Sequence, residues 1–410
     1  MIQLGRFDSV KKLGFGTMRL PLTDPDNVKS IDYEQFKAMV DHYMAAGMVY
    51  FDTAYPYHEE CSEIAVRECL VKRYPRDSFL LADKMPIIRV TDSADYEKYF
   101  NEQLERCGVK YFDFYLLHNM GRDRYVNTKK FGGFEFISEL KEKGLVKNIG
   151  FSFHDDADTL DMILSEHPEV DFVQLQINYL DWEGAVAQSG ACYEVAKKHG
   201  KPVIVMEPVK GGTLANLPDP ARKAYEEFYL STADDSQHAA KNVGSANSVH
   251  AANSVDAASS VDTAAMPSPA SLAIRFAASL DNVILVLSGM SDINQLKDNV
   301  GYMKDFIPLS DDEKELVNKI TSILKEAIKI SCTSCRYCME VCPKDIYIPA
   351  LFGLYNLHCV TGKKTGMYYN RFITNHGKAS DCIKCGQCEN ICPQHIAVRD
   401  WLCEVANLYE

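Results

Sequence analysis

No apolar run in this chain approaches the roughly 18 residues that a membrane-crossing helix requires. Positive charge is also in deficit: 44 Lys and Arg stand against 57 Asp and Glu, a formal net charge of −13. So acidic a chain is a poor match for nucleic acid or an anionic membrane, both of which select basic patches. The opening residues, MIQLGRFDSVKKLGFG, lack the apolar stretch and small-residue cleavage site of a secretory signal. The expectation is a cytoplasmic protein with neither nucleic acid nor membrane among its partners. Tryptophan is rare, at 2 residues, but 46% of the 410 residues are hydrophobic, enough for two or three domains with a large core.

Cysteine, by contrast, is abundant at 14 residues. Disulfides would be the reading for a small secreted domain, but eight of these cysteines fall into two matching runs. Cys332, Cys335, Cys338 and Cys342-Pro343 repeat the spacing of Cys382, Cys385, Cys388 and Cys392-Pro393. C-x2-C-x2-C-x3-C-P is the pattern of ferredoxins that carry two 4Fe–4S clusters. Three closely spaced thiolates wrap three corners of a cubane, and the cysteine before the proline reaches across to the other cluster. One cluster is then expected on Cys332, Cys335, Cys338 and Cys392, the second on Cys382, Cys385, Cys388 and Cys342. Zinc sites use paired C-x2-C knuckles; the full repeat with its Cys-Pro fits iron–sulfur better. Between the runs, Leu351, Phe352, Leu354, Tyr355 and Leu357 recur at roughly helical spacing and read as a packing face, with the barrel as one surface it could cover, rather than a cofactor box.

Upstream, the informative stretch is MVYFDTAYPYH. The apolar run Met48 to Phe51 ends in Asp52, with Tyr57 five residues on. Such a run closed by an ionisable group reads as a buried parallel strand delivering a side chain at its carboxyl end. Phe79 to Ala82 likewise runs into Asp83 and Lys84, and Phe112 to Leu117 into His118. Each residue alone has a bland explanation (a cap, a solvated charge, a core histidine). Together, on successive strands and at one end, they make a site. Strand and helix alternate along the chain to give eight strands in about 300 residues, the count of a (β/α)8 barrel. The expected strands include Leu13–Leu20, Phe172–Gln176, Val203–Met206 and Val283–Leu287, and the expected helices Glu59–Arg73, Ala185–His199 and Ile293–Met303. Residues 229–265 interrupt this order with an Ala/Ser/Asn/Asp-rich segment of six-residue period, Val243, Val249, Val255 and Val261 recurring. One small apolar residue per repeat buries too little to fold, and the segment is read as a disordered insertion.

FDTAYPY, LADK and YLLH resemble the Asp, Tyr, Lys and His motifs of the aldo/keto reductases, over roughly residues 1–325. CTSCRYCMEVCP and ASDCIKCGQCENICPQHI resemble the ferredoxin-like extension of one prokaryotic branch of that family, here residues 326–410. The resemblance implies a TIM barrel followed by a small iron–sulfur domain, with a carbonyl or alcohol as small-molecule substrate and NADP or NAD as cofactor. Reducing a carbonyl by hydride transfer leaves an alkoxide that needs a proton, and a free phenol near pKa 10 is a reluctant donor. An ammonium about 4 Å away supplies roughly 4 kcal/mol at an effective dielectric near 20, so Lys84 is expected to bring Tyr57 into a working range. Asp52 would hold Lys84, and His118 would orient the substrate oxygen. The resemblance also implies cofactor contacts at Gly16, Thr17, Ser152, Gln174, Met206, Gly289, Met290, Gln295 and Asn299. Many relatives have an asparagine after Ser152 and an aromatic at the place of Met206; this chain has Phe153 and a methionine, which cannot stack. Gln295 stands where an arginine is common, leaving NADPH and NADH equally open. The iron–sulfur module would exchange single electrons with a redox protein partner, although no flavin fingerprint is present to bridge two-electron and one-electron steps. The rival readings are an electron-transfer adaptor whose barrel is a docking scaffold, and clusters that are structural or oxygen-sensing.

Overall fold

In the computed structural model the described residues are 2–5, 9–184, 188–243, 266–330, 332, 337–392 and 394–410. Cys335, residues 244–265 of the interruption and the expected helix start at Ala185 lie outside them. Eight parallel strands close into a barrel in sequence order: β1 Leu13–Gly16, β2 Tyr50–Asp52, β3 Leu80–Met85, β4 Phe112–Met120, β5 Val146–Phe153, β6 Phe172–Gln176, β7 Val203–Met206 and β8 Val283–Gly289. The ring is shut where Gly16 pairs with Gly289.

Side chains alternate between the two faces of a strand, and this decides what fills the barrel. Tyr50, Leu80, Ala82, Phe114, Leu116, Phe172, Ile204, Leu285 and Leu287 form the inner plug. The alternate residues, among them Phe51, Leu81, Tyr115, Leu117, Val173 and Val205, pack outward under the helices. Counting on by twos, Asp52, Lys84, His118, Ser152, Gln174 and Met206 all fall on the inner face at the carboxyl ends, above the plug. Asp83 falls outward.

The differences from sequence expectation have local causes. β1 stops at Gly16 and a 3-10 turn, Thr17–Arg19, follows. The second helix begins at Ser62 rather than Glu59 because His58, Glu59 and Glu60 take left-handed φ of 52°, 47° and 73°. The helix Arg122–Lys130 was not expected: only Tyr125 and Thr128 are buried on it, so it carries no amphipathic signal. The helix Asp219–Val243 runs on past Tyr229, where an insertion was placed. The Tyr229 hydroxyl donates to Glu313 at 2.9 Å, a carboxylate also held by Arg275. The Ala-rich composition that reads as disorder is equally a strong helix former.

The C-terminal unit has its own core of Ile330, Ile346, Ile348, Leu351, Phe352, Leu354, Val398, Leu402 and Val405. The helix Ile348–Thr361 packs on the helix Val398–Tyr409, with Tyr355 and Trp401 rings 5.5 Å apart. Leu351, Phe352 and Leu354 therefore cover this unit's interior and not the barrel. The unit sits over the barrel's carboxyl end. Arg371 donates to the carbonyl of His154 at 2.9 Å and Lys363 to that of Gly211 at 2.9 Å, and the Asn375 amide donates to Asp123 at 3.0 Å.

Candidate active site

Lys84 is fully buried and its ammonium has three partners: Asp52 Oδ1 at 2.5 Å, the Thr53 carbonyl at 2.8 Å and Tyr57 Oη at 3.2 Å. Asp52 is completed by the Gln174 amide at 3.1 Å. Burial pulls the Lys84 ammonium towards neutrality, but Asp52 and Tyr57 outweigh it and hold its pKa above 10.5. The lysine is charged. Burial raises the Tyr57 phenol, and Lys84 offsets this without reversing it, so its pKa stands above 10. The sequence-based expectation that Lys84 pulls Tyr57 into a working range is therefore corrected: in the resting site desolvation wins, and the ammonium is placed to stabilise the phenolate once a proton has left.

The His118 ring meets that of Tyr57 edge-on, centroids 5.7 Å apart. Burial, then Lys84, His154 and Arg124, hold its pKa well below 6.5. It is a neutral imidazole, able to donate one N–H to a substrate oxygen. The loop carrying Tyr57 is pinned by His58, whose Nε2 accepts from the Leu20 N–H at 3.0 Å while Nδ1 meets the Val28 carbonyl at 2.6 Å.

Of the expected cofactor contacts, Ser152 and Gln174 lie on the inner face, both buried. Ser152 Oγ accepts the Asn119 N–H at 2.7 Å and keeps its own proton to donate. Met206 and Gly289 are part-exposed at the mouth. Gly16 lies against the backbone of Ser288 and Gly289. Thr17 is buried, its hydroxyl bonded to the Asp52 carbonyl at 2.9 Å and to Ser62 at 2.8 Å. Met290 packs in the core. Asn299 is buried and donates to Ser288 at 2.7 Å while accepting from Tyr302 at 2.5 Å; Gln295, exposed, caps the Ser291 N–H at 2.9 Å. The amino end of the helix Ile293–Met303 holds the Asp292 carboxylate on the Asn294 and Gln295 N–H groups at 2.7 and 2.9 Å.

Asn119 is a site residue that sequence reasoning missed. It has φ of 63° at the irregular end of β4, and its Oδ1 is buried without a partner among the described residues. Also missed is a polar cluster at the mouth. Lys210 binds both Asp181 oxygens at 2.6 Å, and Asp181 takes the Gln176 amide at 2.7 Å. Tyr368 of the C-terminal unit reaches Gln176 and Glu207, each at 3.4 Å.

Behind Lys84, outward-facing Asp83 meets Glu63 and Cys107, with donor atoms within 4.8 Å of one another and all buried. Burial raises Asp83 well above the carboxylate range, with Glu63 adding to it, and pushes Glu63 up to about 7. Glu63 has Arg106 at 2.8 Å, so the proton resides on Asp83. Between the unfolded value near 4 and these raised values the native state binds more protons than the unfolded chain, so stability falls as pH rises, by about 1.4 kcal/mol per unit per group. Asp83→Asn is expected to gain stability over the parent as pH rises from 5 to 8; thermal melts at the two pH values check this.

In the C-terminal unit, Cys342, Cys382, Cys385 and Cys388 line one apolar cavity with Ile346, Ile348 and Leu402. Left-handed φ at Lys384 (58°) and Gly386 (78°) curls the Cys382–Cys388 loop around it. No described cysteine is in a disulfide. The set comprises three thiols of one run and the Cys-Pro cysteine of the other, the crossed arrangement expected from the spacing.

The profile of the aldo/keto reductase family matches residues 12–322, three quarters of the chain and all of the barrel. The chain belongs to the aldo/keto reductase family. A 4Fe-4S dicluster domain matches residues 331–397 of this aldo/keto reductase. Among solved structures, an aldo-keto reductase of Bacillus halodurans in its holo form is 22% identical with a TM-score of 0.54, covering 78% of this chain and 95% of its own. A thermostable aldo-keto reductase bound to the inhibitor epalrestat is 19% identical with a TM-score of 0.55, covering 78% and 98%. An aldo-keto reductase of Klebsiella pneumoniae in complex with NADPH is 17% identical with a TM-score of 0.53, covering 76% and 91%. At these identities they share the fold. No curated protein matches the chain. Among the described residues of this reductase, no helix is long and apolar enough to cross a membrane.

Proposed function

We propose that this aldo/keto reductase interconverts a carbonyl and an alcohol by hydride transfer, and that its dicluster domain exchanges single electrons with a redox protein partner. The observation that carries the first part is Lys84 Nζ, locked by Asp52 and 3.2 Å from Tyr57 Oη. When bound, a nicotinamide cofactor supplies or accepts the hydride. Tyr57 gives its proton to the carbonyl oxygen as charge develops there, and Lys84 stabilises the phenolate left behind. The neutral His118 orients the same oxygen. Ser152 and Asn119 Oδ1, which has no partner among the described residues, fit the two ends of a carboxamide, donor and acceptor. NADPH in the Klebsiella relative favours NADP over NAD.

The crossed thiol cavity supports one cluster on Cys342, Cys382, Cys385 and Cys388, and the second on Cys332, Cys335, Cys338 and Cys392. Anaerobic purification should yield about eight iron and eight sulfide per chain, and Cys388→Ser about half of each. NADPH and NADH, each offered with a panel of aldehydes, test the reductase. No oxidation of either by any carbonyl would favour an adaptor whose barrel only docks.

A further inference from the structure

Two arginines stand near the reacting groups with Asp155 and Asp123 close by, yet neither guanidinium forms an ion pair among the described residues. Arg124, on the helix after β4, donates to the carbonyl of Asn119 at 2.7 Å, one residue from His118. Arg371, from the dicluster domain, donates to the carbonyl of His154 at 2.9 Å, just past β5. Gly121 makes room for it: a Cβ there would sit 3.0 Å from the Arg371 Nη2. The nearby carboxylates are committed elsewhere. Asp155 accepts the backbone N–H of Arg122 at 2.8 Å and of Asp156 at 2.9 Å, and Asp123 accepts the Asn375 amide at 3.0 Å. Both guanidiniums thus rest on backbone carbonyls, and neither has an ion-pair partner among the described residues.

Such an arrangement is costly. Burial and then Arg371 pull Arg124 down to about 10, and burial lowers Arg371 too. Burial and then the two arginines push His154 down to about 3, so it stays neutral. Lys84 and Arg124 both act on His118, and Arg124 and Arg371 repel one another, a positive field that Asp155 and Asp123 oppose only in part. Sheltered, unpaired like charges are tolerated where an anion completes them.

We propose that the carbonyl substrate carries a second, anionic group, a carboxylate or phosphate, that docks between Arg124 and Arg371 while its carbonyl faces Tyr57 and His118. The dicluster domain then contributes directly to substrate binding, since one of the two guanidiniums is its own. This rests on the reading of the tetrad as a carbonyl-reduction site.

The test uses the full-length anaerobic holoenzyme with matched aldehydes: 4-oxobutanoate against butanal, and glyceraldehyde 3-phosphate against glyceraldehyde. The anionic member of at least one pair should be preferred in kcat/KM by about 100-fold, and the favoured pair distinguishes carboxylate from phosphate. Arg371→Met should shrink that preference about 10- to 100-fold, mainly through KM, with Arg371→Lys restoring part of it; Arg124→Met repeats the test should the first variant not fold. Equal use of both members, or an anion preference intact in the variants, overturns the proposal and leaves the arginines as fasteners between domain and barrel. If no aldehyde is reduced, the reductase reading fails instead. The anion site then stands or falls on binding of succinate and inorganic phosphate by calorimetry: present in the parent and lost in Arg371→Met supports it, and equal in both overturns it.

Discussion

Replacing Tyr57 by phenylalanine is expected to lower kcat/KM for carbonyl reduction by about 10²- to 10⁴-fold, the usual contribution of a positioned proton donor. The fold should survive. Among the described residues the hydroxyl has one hydrogen-bond partner, Lys84 at 3.2 Å, and without it Lys84 keeps Asp52 and the Thr53 carbonyl. A stability change below about 1 kcal/mol is therefore expected. The same residue sets an asymmetric pH dependence. Because burial holds the phenol above 10, the donor form persists through alkaline pH and reduction should not decline from its ionisation below that value. Alcohol oxidation requires the phenolate, which gains about tenfold per pH unit below its pKa, so the oxidative rate should climb steadily. Stopped-flow rates in both directions from pH 6 to 9 check this; a reductive rate that falls with the oxidative rate flat would remove Tyr57 from the role. If Tyr57→Phe leaves turnover intact, another group donates the proton.

The second large effect is Lys84→Met. It leaves Asp52 buried with only the Gln174 amide at 3.1 Å and strips the Thr53 carbonyl of its partner. Removing one member of a buried ion pair costs about 3–5 kcal/mol, far more than a surface charge does. The sign of its pH dependence follows. Burial already raises Asp52 with Lys84 opposing it, so without the ammonium the carboxyl takes up a proton in the native state. Its folded pKa then lies above the unfolded value near 4, and the variant loses stability as pH rises between the two. The deficit against the parent should be larger at pH 8 than at pH 5, by thermal or denaturant melts, and reduction should be lost at both. A uniform deficit would place the damage in packing rather than charge.

The strand-end motifs were legible because each is local: an apolar run and the polar residue that closes it sit within a dozen positions. Period-two alternation then forces Asp52, Lys84 and His118 onto one face whatever the helices do. Tyr57 is off-strand, and its placement depends on the left-handed turn at His58–Glu60 and on the His58 bonds to Leu20 and Val28, which no local pattern reveals. Arg124 was missed because its helix is polar on nearly every side. The continuation of the helix through Tyr229 was missed because alanine and serine serve a loop as readily as a helix.

By itself the sequence determined the barrel, the tetrad's residue types and the pairing of two cysteine runs, since strand period and ligand spacing are short-range properties written into consecutive residues. The tertiary structure alone decided that the dicluster domain covers the barrel mouth and sends Tyr368 and Arg371 to the carboxyl ends of β5, β6 and β7. Those contacts join positions up to 217 apart, and they arise from the shapes of two finished surfaces rather than from any local pattern. It also decided the balance at Tyr57, where burial outweighs the lysine, because desolvation depends on everything that surrounds a group and charge spacing captures only its neighbours.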